Sequence, residues 1–286
     1  MRVGLAIALA ALAGCGRDLP PPGDEERVAL ADAAVVPSAP SPGCRPGFLP
    51  AVRGERRRLR VGGVERSYLL DAPAGPADRA LPVVVSLHGF RSSAWRHRWW
   101  SGWGTLALEE SFVAVHPEGH EGVELLRTTG RGWDFRRGET RDVDFIRALL
   151  DVLEEGRCID RRRLFATGMS NGGFFANLLG CALADRLTAV APVAGALALP
   201  GCTPAAPMPV LLVYGRADRV VPAELIAGAR RWWAGVDGCG AALERDGCLR
   251  YAGCDLVYCE GPQGHRWPAD ATARIWRFFR AHPRRS

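Results

Sequence analysis

The sequence predicts an α/β fold, an open and mostly parallel sheet with helices on both faces. Three observations predict it. From about residue 44 onward, strand-like and helix-like segments alternate, the pattern left by a parallel sheet whose crossovers are helices. Several strand-like segments are short continuous apolar runs, as expected of strands covered on both sides. Finally, the chain passes from a β-like run at Leu164–Thr167 through Gly168-Met-Ser170-Asn-Gly172 into an apolar helical run. A strand, a tight turn bearing a serine, and a helix form one recognisable unit.

The strand candidates, in order, are Arg66–Asp71, Val83–Leu87, Phe112–His116, Leu164–Thr167, Ala189–Val193, Val210–Tyr214 and Leu256–Cys259. Helical stripes lie between them. Val143, Ile146, Leu150 and Leu153 share one face, with Asp142 near the start, where an acid complements the helix dipole. Phe174, Phe175, Leu178 and Leu179 follow the serine at helical spacing. Ile226, Ala229 and Trp233 mark a third helix, and Ile275, Phe278 and Phe279 the last. No internal repeat is evident, and 286 residues leave no room for a second folded domain.

Ser170 sits where a nucleophile would be exposed at the tip of a strained turn, and its flanking glycines fit because larger side chains would collide there. A serine hydroxyl needs a base, usually histidine, which in turn needs a carboxylate to orient it. Two histidines follow Ser170. His282 lies in an arginine-rich tail and reads as solvent-exposed; His265 lies in Gly261-Pro-Gln-Gly-His-Arg-Trp-Pro268, between the last strand and the last helix. His265 is therefore the candidate base. Asp218 follows the buried-strand pattern Val210–Gly215 and is the candidate acid, since functional groups of open α/β sheets collect at the carboxyl ends of strands. Its alternative is to cap the helix after Pro222. The candidate oxyanion donors are the backbone amides of Asn171, just after the nucleophile, and Phe90, just after Leu87-His-Gly89. His88 reads as a packing residue that shapes that loop.

The N-terminus reads as an export signal. Met1-Arg2 precedes an apolar run, Val3–Ala13, too short to span a bilayer. Leu12-Ala-Gly-Cys15 resembles the lipobox of bacterial lipoproteins, which makes Cys15 the expected lipidation site and a membrane the expected partner of the anchor. The expected organisation is a signal over 1–15, a tether over 16–43 holding six prolines, and one catalytic domain over 44–286. Beyond Cys15 an even set of eight cysteines remains, which behind an export signal suggests disulfides; spacing alone does not give their pairing. Paired C-x₂-C spacing is missing, which argues against a metal site. The net charge of +6 comes from a chain whose 37 basic residues are all arginine. Arg56–Arg58 and Arg161–Arg163 read as solvated faces, and no nucleic-acid-binding signature accompanies them.

Taken together, these segments resemble a family. Asp142-Val-Asp-Phe-Ile-Arg-Ala-Leu-Leu150, Cys158-Ile-Asp160, Arg163 through Gly173, Leu87-His-Gly89, Ala189 through Gly195, Gly215-Arg-Ala-Asp218 and Gly264-His-Arg-Trp-Pro268 are similar to secreted feruloyl esterases and polyhydroxybutyrate depolymerase-like esterases. The resemblance spans roughly residues 44–280. It implies an α/β-hydrolase fold and ester hydrolysis through Ser170, Asp218 and His265. It also implies a disulfide between Cys158 and Cys181. Tyr214 departs from the family, where histidine is common, and Phe90 stands at a variable position. The expected activity is that of a serine esterase using no cofactor and no metal, on a feruloyl or acetyl ester of a polysaccharide. The rivals are a polyester depolymerase or serine peptidase with the same triad, and a glycan-binding surface lipoprotein. Trp133, in a glycine-rich loop, is the candidate substrate contact.

Overall fold

The computed structural model describes residues 38–125, 127–136 and 140–284; Cys15, the signal and most of the tether lie outside the described residues. Strands β1 (Phe48–Leu49), β2 (Val52–Val61), β3 (Val64–Ala72), β4 (Gly75–Pro76) and β5 (Leu81–Leu87) come first, then helices α1 (Ala94–Ser101) and α2 (Trp103–Glu109). Next are β6 (Val113–Pro117), β7 (His120–Leu125), β8 (Thr128–Gly132), α3 (Arg141–Gly156), β9 (Ile159–Met169) and α4 (Asn171–Ala182). The chain continues through β10 (Ala189–Val193), β11 (Val210–Gly215), α5 (Ala223–Val236), β12 (Ala242–Arg245), β13 (Cys248–Tyr251), β14 (Leu256–Gly261) and α6 (Ala271–Ala281).

Ten strands form the main sheet in the order β12-β13-β14-β11-β10-β9-β5-β6-β3-β2. The run from β14 to β6 is parallel, and β3–β2 and β13–β12 close the two edges antiparallel. This is the α/β-hydrolase type of sheet. The parallel strands are hydrophobic throughout because side chains alternate between two covered faces. In β5, Val83, Val85 and Leu87 pack with α3, α4 and α5, through Phe145, Leu149, Phe175 and Trp233. Val84, between them, joins the opposite layer with Phe165, Trp103 of α2 and Phe279 of α6. The Phe165 and Phe279 rings stack at 4.6 Å, and Trp133 stacks on Phe175 at 5.1 Å. The sheet thus lies between two apolar layers, and the parallel strands point their carboxyl ends the same way.

The arginine run Arg56–Arg58 forms part of edge strand β2, where Arg56 faces Glu118 at 3.8 Å and Arg58 faces Glu65 at 3.4 Å. On the first turn of α3, Asp142 does more than complement the dipole: it forms a buried ion pair with Arg66 at 2.8 Å.

Among the described residues, four disulfides join Cys44–Cys158, Cys181–Cys202, Cys239–Cys254 and Cys248–Cys259, as suits an oxidising, extracytoplasmic compartment. The expected Cys158–Cys181 pair is therefore corrected. Cys158 is taken by Cys44 because residues 39–43, assigned to the tether by composition, attach to the end of α3 and the start of β9. Ser41 N–H donates to Ile159 O at 2.9 Å, Gly43 N–H donates to Glu154 O at 2.8 Å, and Arg161 N–H donates to Ala39 O at 2.9 Å. Cys181 instead meets Cys202, on the loop after β10 that Asn177 Nδ2 also holds by donating to Leu197 O at 2.8 Å. No helix among the described residues is long and apolar enough to cross a membrane.

Candidate active site

Ser170 occupies the single residue between β9 and α4, with φ 57° and ψ −120°. A serine holds such a backbone only where its surroundings dictate it. Its N–H donates to Val193 O on β10 and its carbonyl accepts from Phe174 N–H, both at 2.9 Å. The glycines are required by contact: a Cβ on Gly168 would lie 2.5 Å from Gly172 O, and one on Gly172 would lie 2.4 Å from Leu87 O. The turn is thereby pressed against the end of β5, with Ser170 at its apex.

Asp218 and His265 leave the neighbouring strands β11 and β14, whose parallel pairing runs to Gly215 and Gly261. Beyond the strands the two loops stay joined. Ala217 N–H donates to Gln263 O at 3.1 Å, and Gln263 Nε2 donates to Tyr214 O at 3.1 Å. Tyr214, the departure from the family pattern, donates its hydroxyl to Val221 O at 2.7 Å and closes the aspartate loop from below. The Asp218 side chain is fully buried. Its Oδ1 accepts from the Val220 and Val221 amides at 2.8 and 3.0 Å, and its Oδ2 lies 2.8 Å from His265 Nδ1. Asp218 therefore anchors the turn before α5 as well as meeting the imidazole. A carboxylate only accepts, so His265 Nδ1 carries the proton and donates it to Asp218. This leaves Nε2 as an acceptor, and Ser170 Oγ lies 2.9 Å from it, placed to donate. The three side chains form one continuous hydrogen-bonded chain, an arrangement that can draw a proton from the serine hydroxyl as it attacks.

Phe90 and Asn171 flank this chain. Among the described residues no protein group accepts from either backbone amide. Gly89 lies beside the nucleophile, since a Cβ on it would be 3.5 Å from Ser170 Cβ. His88 is fully buried, and burial lowers its pKa to about 4, so it is neutral at neutral pH. Its Nε2 accepts from Gly119 N–H at 2.8 Å, which puts the ring proton on Nδ1, and Nδ1 donates to Gly89 O at 2.8 Å. In a trans peptide the N–H points away from the C=O, so holding the Gly89 carbonyl also aims the Phe90 N–H. His88 is thus more specific than a packing residue: it fixes one peptide plane.

Two readings of single residues change. Trp133 is fully buried, stacked on Phe175, and its indole N–H donates to His88 O at 2.9 Å, so it presents no face to a substrate. His282 is largely covered rather than exposed, with Nδ1 2.7 Å from Phe278 O at the end of α6. Sequence reasoning missed the β7–β8 hairpin against the Phe90 loop, whose only signal was Thr128-Thr-Gly-Arg-Gly132 ahead of Trp133.

No family model matches the chain. NocK of Nocardia uniformis subsp. tsuyamanensis, provisionally named an esterase, is 33% identical over 236 residues, covering 77% of this chain. The chain spans only 65% of that protein's length. A protein named probable feruloyl esterase C, from Aspergillus flavus, is 32% identical over 240 residues, 76% of this chain and 84% of its own length. Among solved structures, the acetyl xylan esterase from Aspergillus awamori superposes with a TM-score of 0.59 at 13% identity, covering 80% of this chain and all of that one. That likeness establishes the shared fold. With a third of its residues identical over most of both sequences, the chain belongs to the esterase family of the feruloyl esterases.

Proposed function

We propose that the protein is an exported serine esterase that hydrolyses carboxylic esters through an acyl-enzyme. The observation that carries this reading is the unbroken chain from Ser170 Oγ through His265 to Asp218, at 2.9 and 2.8 Å. Ser170 Oγ attacks the ester carbonyl carbon as His265 Nε2 takes its proton. Asp218 keeps the imidazole in the tautomer that accepts and stabilises the imidazolium that forms. The Phe90 and Asn171 amides donate to the oxyanion. The tetrahedral adduct collapses, the alcohol departs with the proton from His265, and water then repeats the sequence to release the acid. Each amide removed from such a hole costs about 3 kcal/mol of transition-state stabilisation.

The substrate class is a feruloyl or acetyl ester carried on a polysaccharide, consistent with the names of the relatives and with a disulfide-bearing, exported chain. Cys15 is the site of a lipid anchor that keeps the domain on the cell envelope. The test is a panel of p-nitrophenyl acetate, methyl ferulate, a short polyhydroxybutyrate oligomer and peptide substrates, assayed with wild-type protein and Ser170→Ala. Hydrolysis of the first two, abolished in the variant and without peptide cleavage, is expected. Faster turnover of the oligomer reassigns the substrate to polyesters, and ester hydrolysis that survives Ser170→Ala removes the mechanism.

A further inference from the structure

We infer that strand β8 and the residue after it form a spacer fixing the distance between the two oxyanion amides, with Gly132 and the Asn171 carboxamide as positioning residues. The inference rests on the esterase reading above. Two amides serve one oxyanion only if both point at the same oxygen from about 3 Å. Phe90 and Asn171 belong to different segments, the loop after β5 and the start of α4; β8 is bonded to the first and Trp133, directly after it, to the second.

On the Phe90 side, Arg131 O accepts from Arg91 N–H at 2.7 Å. Thr129 O accepts from Arg91 Nη2 at 3.1 Å and from its Nε at 3.3 Å. Arg91 directly follows Phe90 and has φ 57°, a conformation an arginine rarely adopts without such restraint. On the other side, Trp133 N–H donates to Asn171 Oδ1 at 2.7 Å, and Asn171 Nδ2 donates to Trp133 O at 2.9 Å. The buried Asn171 side chain is thereby closed into a ring with one backbone residue.

Gly132 lies between these two attachments. A Cβ there would fall 2.8 Å from Asn171 Oδ1 and 3.1 Å from Phe90 Cδ2. At Gly130, on the same face of the strand, a Cβ would fall 2.6 Å from Arg91 Cγ and 3.3 Å from Phe90 Cζ. The face of β8 that meets the oxyanion segments is thus glycine where they press on it. The carboxamide has no room to yield, because both its ends are bonded. The β7–β8 pair is a two-stranded sheet separate from the main one, so completing the main sheet does not account for it.

The test uses Gly132→Ala and Asn171→Ala, the latter keeping its main-chain amide while losing the ring. With p-nitrophenyl acetate, kcat is expected to fall about tenfold or more in each, and KM to change by less than about threefold. Affinity for a trifluoromethyl ketone, whose serine adduct carries the oxyanion, falls by the same factor as kcat/KM. Glu124→Ala, on the exposed outer strand of the hairpin, keeps wild-type values. Folded variants that keep both kcat and ketone affinity, or that lose only KM, overturn the spacer. If Gly132→Ala does not fold, Asn171→Ala decides alone. A wild-type protein without Ser170-dependent ester hydrolysis overturns the esterase reading itself and the spacer with it, a result distinct from an active enzyme with indifferent variants.

Discussion

Asp218 spends its two oxygens on different tasks, and this makes it informative at the scale of one residue. Oδ1 holds the Val220 and Val221 amides, and Oδ2 holds the His265 Nδ1 proton. An asparagine could still accept from the two backbone amides through its oxygen, so the loop need not unravel. Its NH₂ group would then face His265 Nδ1 and stabilise the tautomer with the proton on Nε2, the wrong atom to receive one from Ser170. Asp218→Asn is therefore expected to lower kcat by about 10⁴-fold with little loss of melting temperature. Steady-state kinetics beside a thermal melt check this. A variant retaining more than a tenth of wild-type kcat would show that the imidazole is oriented by something other than this carboxylate.

At the scale of elements, the parallel strands were legible because burial on both faces makes them apolar runs. β10 spans the predicted Ala189–Val193, and β5, β6, β11 and β14 differ from prediction by a few terminal residues. The edges were not legible in this way. β2 is Val-Arg-Gly-Glu-Arg-Arg-Arg-Leu-Arg-Val, a solvated edge whose polar face hides the alternation. α1 carries Trp95 and Trp99 on its exposed side, so its apolar stripe points the wrong way for a sequence reading. Ser170, Asp218 and His265, which the structure joins in one hydrogen-bonded chain, were legible because each follows a buried strand, whereas the support under the Phe90 loop depends largely on glycines and main-chain groups. Disulfide pairing was illegible for a further reason: Cys44 reaches Cys158 through a segment whose composition resembles a linker. That bond spans 114 residues, against 11 for Cys248–Cys259. By loop-closure entropy, removal costs about 4.8 kcal/mol for the first and about 2.8 kcal/mol for the second. Replacing both cysteines of each pair by alanine should lower the melting temperature by about 10 °C or more for Cys44/Cys158 and by several degrees less for Cys248/Cys259. Equal shifts in calorimetry would mean that the unfolded chain keeps residues 39–43 near Cys158 without the covalent link.

At the scale of the whole molecule, three histidines, His88, His97 and His116, are completely buried around the ends of β5 and β6. His97 packs among Ser86, His116, Trp100 and Trp267, and His116 faces Asp71 at 3.6 Å, itself paired with Arg98. His88 has Glu118 at 3.4 Å, with Arg131 beyond it. Burial lowers all three pKa values below the ordinary 6.5, to about 4 for His88 and well below 6.5 for His97. The native state then binds fewer protons than the unfolded chain once the pH drops below 6.5, so stability must fall as the medium is acidified. It is fully present above pH 6.5, and the His88 share is lost progressively down to about pH 4. Each such group removes about 1.4 kcal/mol per pH unit within its window. Asp237 acts in the opposite sense, because burial and then the charge of Asp255 raise its carboxyl to about 6. It is partly exposed and single, so it offsets at most one histidine, and only below pH 6. Urea unfolding at pH 7.5 and 5.0 should therefore show a loss of at least about 2 kcal/mol at the lower pH, the His88 contribution over 1.5 units. Equal stability at the two pH values would mean that these imidazoles take up protons in the folded protein. In that case Nε2 of His88 could no longer accept from Gly119, and the bond that aims the Phe90 amide would not be fixed by the tautomer.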